Sequence, residues 1–322
     1  MTAATANRAS CVVGLHHVAL AAQDVAAAAR FYRDAAHCEP WAAAAALGLP
    51  ADATPMCSSN AGLVLLPADP ATAPVRRPVH EAGIAHVCLQ TPDIAALVGR
   101  FKAHGATLHN EPIDLGTGFL YCYARDPECN VIEIECVAPV WPDPRPWLAH
   151  ANIVTHDLPR LLDFYGRWLG TQAVRSPRLH GDTRLDRIAD LAGVQTRMAW
   201  LGAGNAQIEL MHYLHPATTA HTGRRAPGVS GFAHLAFEVT QLAQACAHLV
   251  ACGGCIDDGA ASDLPPWQAA GCDPDGNRVL LLDLQAARHQ DLRIAALADP
   301  HITQRFAAAR AALSTSPSPA LP

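Results

Sequence analysis

Hydrophobic positions along the chain fall into four short alternating runs, each with a histidine at the same place. They are Leu15-His16-His17-Val18-Ala19-Leu20, Ile84-Ala85-His86-Val87-Cys88-Leu89, Leu148-Ala149-His150-Ala151-Asn152-Ile153 and Phe232-Ala233-His234-Leu235-Ala236-Phe237. Alternation bounded by turn residues predicts a strand for each. In the first three runs an Asp follows the histidine by seven residues, as Asp24, Asp93 and Asp157, where a helix N-cap belongs. Amphipathic spacing then predicts helices over residues 25–35, 94–104 and 158–169. The fourth copy has Gln241 at the cap position and a helix over residues 242–252.

Each unit closes on further strand-like segments, the last of them over residues 62–66, 130–135, 206–210 and 277–282. The second and fourth units precede theirs with turns of one kind, Asp126-Pro127-Glu128-Cys129-Asn130 and Asp273-Pro274-Asp275-Gly276-Asn277. Successive histidines are 69, 64 and 84 residues apart, so strand, helix and strands recur four times. Four prolines within residues 139–146 make a stiff connector between the second and third units. Two long excursions, residues 42–55 and 176–194, are expected as lids or substrate loops, with helical spacing over 185–192. Ala-rich, helix-like sequence runs from Leu284 to about Leu313, and the Ser/Pro-rich end, 314–322, is expected to be disordered.

Composition narrows the class. A chain of 322 residues suits about two domains of ~150 residues. A net charge of −6 offers no basic footprint for nucleic acid. No apolar run approaches the ~18–20 residues of a membrane span, and the first residues lack the apolar core of a secretory signal. Eleven cysteines, an odd number, read as reduced thiols of a cytoplasmic protein rather than a disulfide framework. The one CxxC, Cys252 to Cys255, reads as a Gly-rich turn after a helix.

This fourfold pattern resembles the vicinal oxygen chelate superfamily, which includes glyoxalase I, methylmalonyl-CoA epimerase, type I extradiol dioxygenases and bleomycin-resistance proteins. The resemblance covers about residues 14–284 and is strongest at Gln207-Ile208-Glu209-Leu210-Met211-His212 and Gly231-Phe232-Ala233-His234-Leu235-Ala236-Phe237. It implies an α+β fold of four βαβββ modules in two tandem domains forming cup-shaped mixed sheets. The domains would be residues 14–138 (modules one and two) and 147–284 (modules three and four), with a C-terminal helix and disordered tail over 285–322. It also implies a divalent metal held in the cup by residues of the first and last strand of each module.

Mapped onto this chain, the first-strand ligand position is His17, His86, His150 and His234, and the last-strand position is Val64, Glu133, Glu209 and Leu280. Neighbour pairing of modules would give two three-ligand sites, His17, His86, Glu133 and His150, Glu209, His234. Pairing the middle modules would give one site of His86, Glu133, His150 and Glu209, leaving only His17 and His234 in the other cup. The second scheme is preferred, because one decayed site then explains both missing carboxylates. Glu135 shares the strand face of Glu133 and is a rival ligand, whereas His16 and His212 are expected to face away from the cups. Tyr121 or Tyr123 could line the cup, and Arg197 could pair with an anionic substrate or lie on the surface.

Two imidazoles and two carboxylates suit Zn²⁺, Mn²⁺, Fe²⁺, Co²⁺ or Ni²⁺. Such an ion polarises adjacent substrate oxygens and stabilises an enediolate left by proton loss. In the epimerase and glyoxalase branch that the pattern resembles, metal-site glutamates serve as the bases, which implies that role for Glu133 and Glu209. The expected activity is a metal-dependent isomerase, epimerase or related lyase acting on a small hydroxyketone, cyclitol or 2-oxo substrate. An Fe(II) extradiol-type dioxygenase, using His17, His86 and Glu133, and a metal-free binding or resistance protein are the alternatives. The tandem chain would work as a monomer or homodimer, with no nucleic-acid or membrane partner.

Overall fold

Each histidine run is a strand, each capped segment a helix, and the unit repeats four times. The computed structural model describes residues 10–116, 119–137, 145–175, 182–219, 228–257 and 264–297. The first module runs β1 (Val12–Ala22), α1 (Val25–Asp34), β2 (Glu39–Pro40), β3 (Thr54–Cys57) and β4 (Gly62–Pro67). The second runs β5 (Gly83–Thr91), α2 (Ile94–Ala103), β6 (Thr107–Leu108), β7 (Ile113–Asp114), β8 (Leu120–Arg125) and β9 (Val131–Cys136). The third runs β10 (Trp147–Val154), α3 (Leu158–Leu169), β11 (Val174–Arg175), α4 (Thr183–Ala189), β12 (Gln195–Ala203) and β13 (Ala206–His215). The fourth runs β14 (Gly231–Val239), α5 (Leu242–Cys252), β15 (Cys255–Ile256), β16 (Gln268–Cys272) and β17 (Arg278–Leu282).

The side chains of Asp24, Asp93 and Asp157 each accept from the backbone N–H three residues on, so the expected N-caps form. Gln241 sits in the left-handed region and makes no side-chain cap bond. At the start of α5 Asp283 Oδ2, from beyond β17, accepts from Leu242 N instead, at 3.1 Å.

Two mixed sheets result. The first orders β15-β16-β17-β14-β1-β4-β3-β2 and joins modules one and four; the second orders β11-β12-β13-β10-β5-β9-β8-β6, with β7 on β8, and joins modules two and three. The antiparallel pairs β1–β14 and β5–β10 sit at their centres. The sheets thus cut across the sequence halves, as middle pairing requires and neighbour pairing does not.

Sequence neighbours meet instead through their helices. Phe31 of α1 packs edge-on against Phe101 of α2 with ring centroids 5.2 Å apart. The Tyr32 hydroxyl donates to Asp126 Oδ2 at 2.8 Å, and the Tyr165 hydroxyl donates to Asp273 Oδ2 at 3.1 Å. The Oδ1 atoms of these aspartates accept from backbone N–H groups two and four residues on. Each Asp-Pro turn is therefore also the socket for a tyrosine of the preceding module. A reciprocal clasp joins the sheets: Asn60 Nδ2 donates to the carbonyls of Leu148 and Asn205, and Asn205 Nδ2 donates to those of Leu15 and Asn60.

Three expectations change. His16 was expected to face away from His17, but a register irregularity in β1 between Leu15 and His17 lets both rings share one side, Nδ1 to Nδ1 at 2.8 Å. Cys255 and Cys272, on paired strands with Cα atoms 5.2 Å apart, form a disulfide, which corrects the all-thiol expectation at those two positions. The other nine cysteines are thiols. Residues 284–289 form turns rather than the start of a long helix, followed by a 3-10 turn at Gln290–Leu292 and a short α6 (Ile294–Leu297). The tail beyond 297, most of the Pro-rich connector and residues 176–181 lie outside the described residues.

Candidate metal centre

Period-2 geometry puts helix-facing and cup-facing side chains on alternate positions. In β5, Val87 and Leu89 join the core beneath the helices, so His86 and Cys88 face the cup. The same parity turns His150 and Asn152 of β10 inward to the cup, with Ala151 and Ile153 in the core. Last strands run parallel beside first strands in one common register: Ala19 opposite Val64, Cys88 opposite Glu133, Asn152 opposite Glu209 and Ala236 opposite Leu280. This is the alignment that the repeat spacing predicted for the four last-strand positions.

In the second sheet the four polar positions converge. One ligand atom from each of His86, Glu133, His150 and Glu209 lies within 4.8 Å of the others. His86 Nε2 is 3.3 Å from Glu133 Oε2 and 3.4 Å from Glu209 Oε2. His150 Nε2 is 2.9 and 3.2 Å from the same two oxygens. Three of the four residues are buried, and the Glu133 side chain is 12% exposed. Yet both Nε2 atoms lack a hydrogen-bond partner of good geometry. Lone-pair donors aimed at one point, rather than at each other's protons, are what a cation requires, so these residues fit a divalent ion.

Electrostatics within the cluster reinforce this. Burial disfavours the charged form of His86, but the adjacent Glu133 and Glu209 carboxylates outweigh it and hold its pKa above the usual value. Burial is likewise outweighed at His150, by Cys88, Glu209 and Glu133, and its pKa stands well above the usual value. Both carboxylates are buried against their charge, yet the two imidazoles hold them below the usual range, Glu209 the more strongly. Protons now shared by this cluster are what a divalent ion would displace.

Around the cluster the cup closes on apolar and aromatic groups. Tyr123 packs against His86 with ring centroids 5.0 Å apart. Val79, Val131, Val154, Met211 and Tyr213 continue this lining to Ile188 and Ala189 of α4. From the second excursion, α4 therefore contributes a wall, with its Arg184 donating to the Asp114 carbonyl at 2.9 Å. Glu135 accepts from Gln90 and is outside the four-residue cluster. His212 pairs in register with Arg197 and is outside it too.

The other cup brings His17 and His234 together, Nε2 to Nε2 at 3.2 Å, and among the described residues they belong to no cluster of three or more metal-type ligands. Trp41, Leu47, Leu282, Leu284 and Leu292 fill it, with Leu280 packed against them. The 42–55 excursion is thus a plug: its 3-10 helix, Ala42–Leu47, enters the cup. His17 and His86 belong to different sheets, so the neighbour-pairing set of His17, His86 and Glu133 is not assembled.

A model of the glyoxalase/bleomycin resistance protein/dioxygenase superfamily matches residues 14–134 and again 147–281. The chain belongs to this superfamily. Among solved structures of superfamily size, glyoxalase I from Zea mays aligns at TM-score 0.61 and 18% identity, over 87% of this chain and 95% of that one. A putative dioxygenase from Bacillus subtilis aligns at TM-score 0.58 and 14% identity, over 92% and 96%. At these identities the likeness is one of fold. None of the curated proteins searched matches the sequence.

Superfamily membership accounts for the strand positions, but one neighbour of the cluster escaped the sequence reading. Asn152 Nδ2 donates to Glu209 Oε2 at 2.8 Å. The signal was present: two residues past the four histidines stand Ala19, Cys88, Asn152 and Ala236, and only one of these carries an amide.

Proposed function

We infer that this superfamily member is a metal-dependent isomerase, epimerase or related lyase for a small substrate with vicinal oxygens, with His86, Glu133, His150 and Glu209 as its metal ligands. The observation that carries this reading is the buried convergence of two unpartnered imidazole nitrogens and two carboxylates from four adjacent strands. A divalent ion in that place, Zn²⁺, Mn²⁺, Fe²⁺, Co²⁺ or Ni²⁺, would supply Lewis-acid polarisation of adjacent substrate oxygens. Glu133 and Glu209 flank the position from opposite strands of the sheet, β9 and β13. From there they serve as bases that take and return a proton at the carbon beside a substrate carbonyl. The tyrosines and apolar side chains at the α4 end exclude water and pack the substrate body.

Metal content per chain, by elemental analysis of protein purified without chelator, tests this reading. One equivalent of divalent metal, kept in His17→Ala and held too weakly to survive purification in Glu209→Gln, is the expected result. No metal, and none regained on incubation with salts of the five ions, would leave the metal-free binding reading in its place. Loss in His17→Ala with retention in Glu209→Gln would sink the assignment of the ligands.

A further inference from the structure

Four equivalent floor positions lie two residues past the first-strand histidine, each directly opposite the last-strand ligand position. In the plugged cup they are Ala19 and Ala236; in the ligand-bearing cup they are Cys88 and Asn152. The histidines and glutamates of that cup are matched pairwise between modules two and three, and the floor is not. Asn152, fully buried, lies between Glu209 on one neighbouring strand and His86 on the other.

Its amide reaches the oxygen that matters. Asn152 Nδ2 donates to Glu209 Oε2, the same atom that faces both histidine nitrogens. The Asn152 Oδ1 is buried without a partner. An unsatisfied buried acceptor is costly, so at this floor position only the bond to the carboxylate favours an amide over a small apolar residue. At the matching place beside Glu133 stands Cys88, whose thiol is a weak donor. Glu133 Oε2 meets the two imidazoles, and no amide or hydroxyl donor to it is found among the described residues. The Glu133 side chain is also the more exposed of the two, 12% against 4%.

Resting on the metal reading above, we propose that Asn152 is a positioning residue that holds the Glu209 carboxylate in place as a metal ligand, a hold that Glu133 lacks. Outer partners of metal ligands fix the orientation of the ligating atom, and their removal typically weakens metal binding 10–100-fold. Only one of the two otherwise matched glutamates has such a partner.

Zn²⁺ alone is the probe. Its affinity is measured by competition with a chromogenic chelator for the wild type, Asn152→Ala, Glu209→Gln, Glu133→Gln and the two double variants. Asn152→Ala is expected to weaken binding about 10-fold. That loss persists on the Glu133→Gln background and disappears on the Glu209→Gln background, the coupling expected of groups in direct contact. A merely structural asparagine would weaken binding equally on both backgrounds, and that result, or no loss in Asn152→Ala, overturns the inference. If Asn152→Ala does not fold, Asn152→Cys, which copies the residue at position 88, carries the same cycle. A wild type that binds no Zn²⁺ overturns the metal reading and this inference with it; Zn²⁺ binding without the coupling overturns the inference alone.

Discussion

In the cup of the second sheet, a histidine and a glutamate from each of two modules converge; in the first sheet the same four backbone positions carry two histidines and two aliphatic side chains. The backbone register is common to both cups, so the difference lies in side chains and in what fills the space. Carboxylates pull their histidines towards the charged form: His86 and His150 are raised. Burial without carboxylates pushes the other way: His16 and His234 are lowered to about 4, and His17 falls well below its usual value. One residue type at one register position is therefore pulled towards the charged form by carboxylates in one cup and towards the neutral form by burial in the other. Once neutral, a cup can be filled, and Trp41 and Leu292 fill it.

The sharpest way to break this comparison is to return the missing carboxylates. Val64→Glu with Leu280→Glu restores two histidines and two glutamates in the first sheet. Val64 is fully buried beside the plugged cup, and each buried, uncompensated ion costs several kcal/mol. The metal content is expected to stay at the wild-type value, while the urea midpoint falls by an amount equivalent to several kcal/mol. A second equivalent of metal in this variant would show that two side chains alone separate the cups and that the plug is incidental.

Much of this was legible in the chain. The histidine spacing, the three Asp caps and the period-2 strands located all four modules, and the repeat alignment placed Glu133 and Glu209 as the surviving carboxylates. Which modules share a sheet was not legible from spacing, because that is decided by the antiparallel pairings β1–β14 and β5–β10, contacts between strands more than fifty residues apart. The turn of His16 towards His17 needed a local strand irregularity that strict alternation cannot contain. The Asp-Pro runs read as turns; that Tyr32 and Tyr165 each bond the next module's turn aspartate follows only from tertiary packing.

The Asn60–Asn205 clasp sharpens the comparison differently, since it belongs to both cups. Asn60 is fully buried, its amide bonded to Leu148 and Asn205 carbonyls and its Oδ1 accepting from Leu148 N at 3.0 Å. Asn60→Ala leaves these buried groups unpaired, at about 3 kcal/mol in sum. Urea unfolding is expected to show that loss in one cooperative transition. A loss under about 0.5 kcal/mol, the size of an ordinary surface change, would mean that the sheets are joined by apolar packing alone.

The smallest effect probes the neutral cup directly. His16 Nε2 lies 2.8 Å from the Leu292 carbonyl and can only donate to it. A neutral His16 then accepts at Nδ1 from His17 Nδ1, and His17 Nε2 accepts from His234 Nε2, which fixes one direction for the three-ring chain. Folded His16 takes up a proton only near pH 4, whereas the unfolded chain takes it up near 6.5. The unfolded state therefore binds more protons between those values, and stability falls as the pH drops from 6.5 towards 4. Between pH 7 and 5 this amounts to about 2 kcal/mol. His16→Gln retains a donor for the Leu292 carbonyl and removes the titration. The acid response of the other cup is common to both proteins, so it cancels in the difference between them. Wild type is expected to lose about 2 kcal/mol more than His16→Gln over that interval, read from urea midpoints at each pH. Parallel losses in the two proteins would mean that burial does not hold His16 neutral in the plugged cup.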